Sequence, residues 1–302
     1  MDQLTRPAHG LTLPLAYAAL AASMTLVGSY VGLSRWLVTV WPMFVLAGLR
    51  FAIAAVCLVP WLHRRPGEAP LRAQDHRRLV ATALFGNILF TLCILQGTAW
   101  SSAVAAGVVM AALPGVVAVL ARVWLKEQVP RRTWMGVGCA MAGIALVALQ
   151  RQPEALSPLA TTWGHVLLLG AVLCEAINLI LARQLAQTVS PQRVTSLVNL
   201  WSLLLILPPA LWQGWSLPWH YITWQPWAAV TIYAVASSVV SVGLWMQGAR
   251  HVSAARAGLF TACLPMAATA VGVVWLGETM TLLKALALAL ALAGIVLATR
   301  RP

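Results

Sequence analysis

The sequence predicts an all-α integral membrane protein: ten transmembrane helices, arranged as two inverted-topology five-helix repeats, with both termini cytoplasmic. Three observations predict it: the composition, an internal duplication, and the uneven distribution of Arg and Lys. The chain is 61% hydrophobic and 9% charged, against about 25% charged residues in soluble domains. A soluble protein of 302 residues would have to expose much of that apolar surface. Lipid is therefore the direct choice of solvent.

The duplication is carried by residues 96–144, which meet 247–295 without a gap at an offset of 151. Gln96-Gly97 meets Gln247-Gly248, and Ser102-Ala103 meets Ser253-Ala254. Ala106-Gly107 meets Ala257-Gly258, and Leu113-Pro114 meets Leu264-Pro265. Trp124-Leu125 and Glu127 meet Trp275-Leu276 and Glu278, and Ala142-Gly143-Ile144 meets Ala293-Gly294-Ile295. An offset of half the length divides the chain into repeats 1–150 and 151–302.

Ten continuously apolar segments are long enough to cross about 30 Å as helices. They are 13–33, 40–62, 79–98, 101–123, 133–150, 163–183, 191–213, 226–246, 253–276 and 282–299. Helices are preferred to a barrel because the runs do not alternate and lipid demands internally satisfied backbone. Arg6 and the apolar run 11–22 resemble a signal peptide. The nine apolar segments that follow favour an uncleaved first span. With five spans in each half, the second half enters the membrane upside down relative to the first.

Arg and Lys fix the orientation. With the N-terminus inside, cytoplasmic segments hold Arg6, Arg64, Arg65, Arg72, Arg77, Arg78, Lys126, Arg131, Arg132, Arg183, Arg193, Arg250, Arg300 and Arg301. External loops hold only Arg35, Arg151 and Lys284, while Arg50, Arg122 and Arg256 lie within segments. That asymmetry places both termini in the cytoplasm. It also explains the net charge of +13 without nucleic acid as a partner. Trp212, Trp215, Trp219, Trp224 and Trp227 cluster around the loop between spans seven and eight. They fit a headgroup belt, and a cap over a site is the alternative. The five cysteines lie in apolar stretches without metal or disulfide spacing. No metal and no cofactor are expected.

Polar groups at mid-depth are the candidate site. Pro114 and Pro265 lie near the middle of spans four and nine, so the carbonyls of Met110 and Thr261 should lose their helical donors. Those carbonyls either line a wet cavity or mark a hinge, and the two roles coexist. Gly107 and Gly258, two turns before each proline, serve close helix packing. Span three carries Asn87, Phe90 and Thr91; span eight carries Tyr233, Ser237, Ser238 and Ser241. Span six carries Glu175 and Asn178, and span two carries Arg50. An ionisable group in mid-membrane is expensive and defaults to function. Glu175 has three roles open: carrier of a coupling proton, partner of a cationic substrate group, or fixed partner of Arg50.

These residues resemble a family. The string from Ser102 through Gly107, Pro114 and Glu127, its copy from Ser253 to Glu278, and the closing Ala-Gly-Ile motifs look like EamA domains. They are similar to the drug/metabolite transporter superfamily in its ten-span bacterial form, of the YddG-like amino-acid-exporter kind. Arg50, in Leu49-Arg50-Phe51-Ala52, resembles an arginine that this family often carries in span two. The resemblance implies a cavity lined by spans one, three, four, six, eight and nine, with spans five and ten peripheral. Its candidate residues are Asn87, Phe90, Met110, Pro114, Glu175, Asn178, Tyr233, Ser237, Ser241, Thr261 and Pro265. The Trp-Gly often seen in span one is replaced by Ser23-Met24-Thr25-Leu26.

The expected function is export of small metabolites by alternating access across the inner membrane, with aromatic or hydrophobic amino acids first. Drugs and nucleobases are the alternative substrates. An intramembrane enzyme lacks a nucleophile–base motif, since every His lies in a loop or at a span end. A channel would want charge rings or a carbonyl filter. The expected partners are a small molecule and the bilayer, with the protein a monomer or homodimer.

Overall fold

Prolines and aromatic–proline pairs decide where the helices start and stop. In a computed structural model, residues 12–64, 70–124, 131–148, 158–185, 189–249, 251 and 260–299 are described. The described residues are almost wholly helical and contain no strand. Helix α1 spans Leu13–Val40 and begins with Pro14, whose missing N–H costs nothing in a first turn. It ends only at Trp41-Pro42, so Arg35 sits on the helix and not in a loop as expected. Then follow α2 (Met43–Leu62), α3 (Ala73–Trp100) and α4 (Ala103–Trp124). Next come α5 (Arg131–Ala148), α6 (Pro158–Leu185) and α7 (Pro191–Trp215). The last three are α8 (Trp224–Ala249), α9 (Phe260–Val274) and α10 (Leu282–Thr299).

Among the described residues seven helices, α1–α4 and α6–α8, are long and apolar enough to cross a membrane, and α5, α9 and α10 carry shorter apolar stretches. The chain is a multi-pass membrane protein. Its outer faces carry large apolar side chains such as Val56, Leu211 and Val274, which lipid covers at no cost. The start of α3 is six residues earlier than expected, because Arg72 and Asp75 cap it: the Arg72 amide donates to Asp75 Oδ2 at 3.0 Å.

The helices pair in a pattern. α1 packs against α8 and α9, and α6 packs against α3 and α4. α2 packs on α7, α4 on α9, and α5 on α10 at one edge. Small residues permit the close approaches. Gly97 on α3 lies against Gly164 and Leu168 of α6. Gly248, its equivalent at the 151 offset, lies against Ala16 and Leu20 of α1. Gly107 lies against the Pro265 carbonyl, so its packing role holds; Gly258 lies outside the described residues.

Two helices contain π-turns, Ala83–Leu89 in α3 and Ala236–Val240 in α8. α4 is interrupted at Ala111-Ala112, and the described part of α9 includes a 3₁₀ turn, Phe260–Ala262. These breaks fall just before Pro114 and Pro265, where a proline forbids the regular bond. Of the basic residues that set the orientation, Arg6, Arg65, Lys126, Arg151, Arg250, Arg256, Arg300 and Arg301 lie outside the described residues. So does the boundary between 1–150 and 151–302.

Candidate functional site

The most demanding side chain is Arg50. It lies in α2 and is only 6% exposed, so its charge is largely removed from solvent. Its Nη1 donates to Thr91 Oγ1 on α3 at 2.7 Å. Three rings surround the guanidinium carbon: Phe51 at 5.2 Å, Tyr30 at 5.7 Å and Tyr233 at 5.7 Å. Tyr30 and Tyr233 meet edge to face with centroids 5.4 Å apart. These contacts gather α1, α2, α3 and α8 around one cation. Phe90, Met110 and Cys174 belong to the same buried cluster as Tyr30 and Tyr233.

Glu175, on α6, takes a 3.3 Å bond from Asn178 Nδ2 one turn on. Asn178 in turn packs against Gly86 in the π-turn of α3, where a Cβ would collide with its amide. Glu175 and Arg50 make no direct contact.

Other candidates point elsewhere. Asn87 Nδ2 donates to Ser202 Oγ on α7 at 2.9 Å. The hydroxyls of Ser237 and Ser241 donate to carbonyls within α8, those of Ala234 and Ser237. Ser23 of α1 donates to the Ser241 carbonyl at 2.7 Å. The three serine hydroxyls thus bond to carbonyls in and beside the π-turn of α8, while Asn87 bonds a side chain of α7. Thr261 is half-buried in the 3₁₀ turn, Pro265 is buried on α9, and Pro114 is half-buried on α4. Tyr30 was missed by sequence reasoning, because an aromatic in an apolar span looks like core. A tyrosine hydroxyl at mid-span was the available signal.

A second charged group lies at one end of the bundle. Glu278, in the loop after α9, bonds Arg35 of α1 at 2.5 Å. Its two oxygens also accept the amides of Ala103 and Val104, at 2.8 and 3.1 Å. It thereby caps α4, where Ser102 Oγ takes the Ala105 amide at 3.0 Å. Gly277 makes the turn that brings it there, with φ of 69°. Near that end, Trp41 is enclosed by Trp219 and Trp227, with centroids 6.1 and 4.9 Å away. Trp212, Trp215 and Trp224 are largely exposed. The tryptophans thus divide into a group packed around Trp41 and a group on the surface. A groove of about 420 Å³ between α2 and α7 is lined by apolar side chains such as Leu49, Leu207 and Trp215. It contains no charged group, so it does not compete with the Arg50 region.

With that geometry in hand, the chain can be set beside known proteins. The model of the EamA-like transporter family matches residues 14–149 and again 162–300. A Bacillus subtilis (strain 168) protein named Uncharacterized transporter YetK is 30% identical over 287 residues, covering 93% of this chain and 85% of that one. A second protein of that strain, Uncharacterized transporter YyaM, is 23% identical over 222 residues, covering 73% and 72%. One crystal structure is similar over 93% of this chain and 96% of its own, with a TM-score of 0.63 and 18% identity. At that identity the likeness is one of fold.

Proposed function

The chain belongs to the EamA-like transporter family, and on that premise we propose that it is a ten-span secondary transporter exporting small metabolites by alternating access. Aromatic or hydrophobic amino acids are the first substrates in this reading. The observation that carries it is the repetition. The family model matches twice, and helices equivalent at the 151 offset make equivalent contacts: α1 with α8 and α9, α6 with α3 and α4. That exchange supports two inverted five-helix halves, 1–150 and 151–302, related by an axis in the membrane plane. Two such halves can trade conformations, which moves the opening from one side to the other.

The basic residues support cytoplasmic termini and residence in the inner membrane. In that orientation the Glu278 clasp closes the external face. The region between the halves offers Arg50 for a carboxylate, Glu175 for an ammonium or a coupling proton, and Phe90, Met110 and Tyr233 for an apolar side chain. Nucleobases and amphipathic drugs form the second reading, favoured by the rings of Tyr30, Phe51 and Tyr233, against which a planar ligand stacks. The protein works as a monomer or homodimer in either case.

The test is efflux from proteoliposomes preloaded with radiolabelled amino acids, with and without a pH gradient. Saturable efflux of Phe, Tyr or Trp is expected. Absence of efflux for every amino acid, from folded protein, removes the substrate reading and turns the search to nucleobases and drugs. Retained pH sensitivity in Glu175→Gln removes the proton-carrier role.

A further inference from the structure

Arg50 is under-bonded. A guanidinium has five N–H donors in a planar fork. The structure gives this one a single hydrogen bond, to Thr91. Its Nε is buried with no acceptor, and the buried Tyr233 hydroxyl, though close enough to act on the guanidinium, makes no bond of good hydrogen-bonding geometry. The three rings around the cation attract it but accept no N–H in the guanidinium plane. Buried donors are rarely left in this condition in native proteins.

The fold can satisfy an arginine when it needs to. Arg35, less deeply placed, has the Glu278 carboxylate at 2.5 Å. Arg50 has a carboxylate in the same interior, Glu175, but the two do not touch. An arginine held for stability alone would be expected to touch it.

We propose that Arg50 and Tyr233 form the binding site for the anionic group of the transported molecule, a monocarboxylate. The word "transported" rests on the exporter reading above; the anion site itself does not. The free edge of the guanidinium, Nε with Nη2, presents two parallel donors that match the two oxygens of a carboxylate. Tyr233 supplies a third donor from the opposite half of the chain. Thr91 holds the other side of the guanidinium and keeps the fork from rotating. The rings of Tyr30 and Phe51 exclude water, so the ligand's charge is paired in a dry setting where a fork-to-fork contact is strongest. Thr91 and Phe51 are positioning residues in this scheme, while Arg50 and Tyr233 touch the ligand. A hydroxyl donated by the second half also means that moving the halves apart strips one donor from the anion, which couples release to the conformational change.

Binding to the purified full-length protein tests this directly, by calorimetry in detergent or nanodiscs. The probes are phenylalanine, leucine, 3-phenylpropionate and isovalerate, which carry a carboxylate. Phenethylamine, isoamylamine and phenylalaninol lack it. At least one acid is expected to bind, and its amine or alcohol analogue about tenfold more weakly or worse. Arg50→Gln should abolish acid binding. Arg50→Lys, which keeps the charge and loses the fork, should weaken it at least about tenfold. Tyr233→Phe keeps the ring and the packing, so it should weaken acids and leave phenylalaninol unchanged. If Arg50→Gln fails to fold, Tyr233→Phe decides alone. Equal binding of acids and their carboxylate-free analogues overturns the proposal. So does acid binding that survives Arg50→Gln, or the absence of binding by all four acids to folded wild type. Arg50-dependent acid binding without efflux in proteoliposomes leaves the anion site standing and removes only the exporter reading.

Discussion

Two of the buried charges among the described residues are treated in opposite ways. At the end of the bundle, the Glu278 side chain is 5% exposed and both oxygens of its carboxylate are engaged, by one ion pair and two backbone amides. In the middle, Arg50 is about as buried and has one hydrogen bond. Burial is thus not what separates them; satisfaction is. A satisfied charge holds elements in place, here α1, α4 and the loop after α9. An unsatisfied charge costs stability, and its retention calls for a task that stability does not explain.

Four substitutions sharpen or break that contrast. Glu278→Ala should have the largest effect, about 2 to 4 kcal/mol of destabilisation, because it strands the α4 amides and leaves Arg35 without its anion. Denaturant unfolding in detergent measures it, and a loss under about 1 kcal/mol would remove the clasp from any structural role. Ser102→Ala removes the neighbouring cap and should cost about 1 kcal/mol by the same measurement. Arg35→Ala should cost at most about 1 kcal/mol, since this partner is 31% exposed and Glu278 keeps both amides. A loss equal to that of Glu278→Ala would mean the ion pair, not the cap, dominates. Arg50→Met should change stability least, within about 1 kcal/mol of wild type, because it exchanges an under-bonded cation for an apolar chain of similar length. Strong destabilisation there would erase the contrast and make Arg50 a structural residue.

Much of the fold was legible because lipid leaves few options. Continuous apolar runs had to be helices, and their spacing located each one. Helix ends were less legible. α1 continues past 33 to Val40 because the sequence Leu33-Ser34-Arg35-Trp36 contains no helix breaker, only a charge. The site divides the same way. Arg50, Thr91 and Tyr233 were readable from the cost of polar groups in a membrane, and the structure brings them together. Ser237, Ser241 and Asn87 carried the same signal for a different reason. The serines, with Ser23, bond to carbonyls in and beside the π-turn of α8, while Asn87 reaches α7. A π-turn leaves no mark in composition or periodicity that one sequence could reveal.

Those π-turns also bear on the history of the chain. A π-turn is an α-helical turn with one residue more than usual, and the extra residue of 83–89 is absorbed in the turn so that the flanking parts of α3 keep their faces. One insertion at one equivalent place is a simpler event than two. The turn in α8, at Ala236–Val240, falls within 83–89 once the 151 offset is applied. Under the two-repeat reading proposed above, the simplest order of events places the insertion in an ancestral gene encoding one half, with the copying and fusion afterwards. A deletion tolerated in one helix and lethal in the other would then record how far the two copies have since parted.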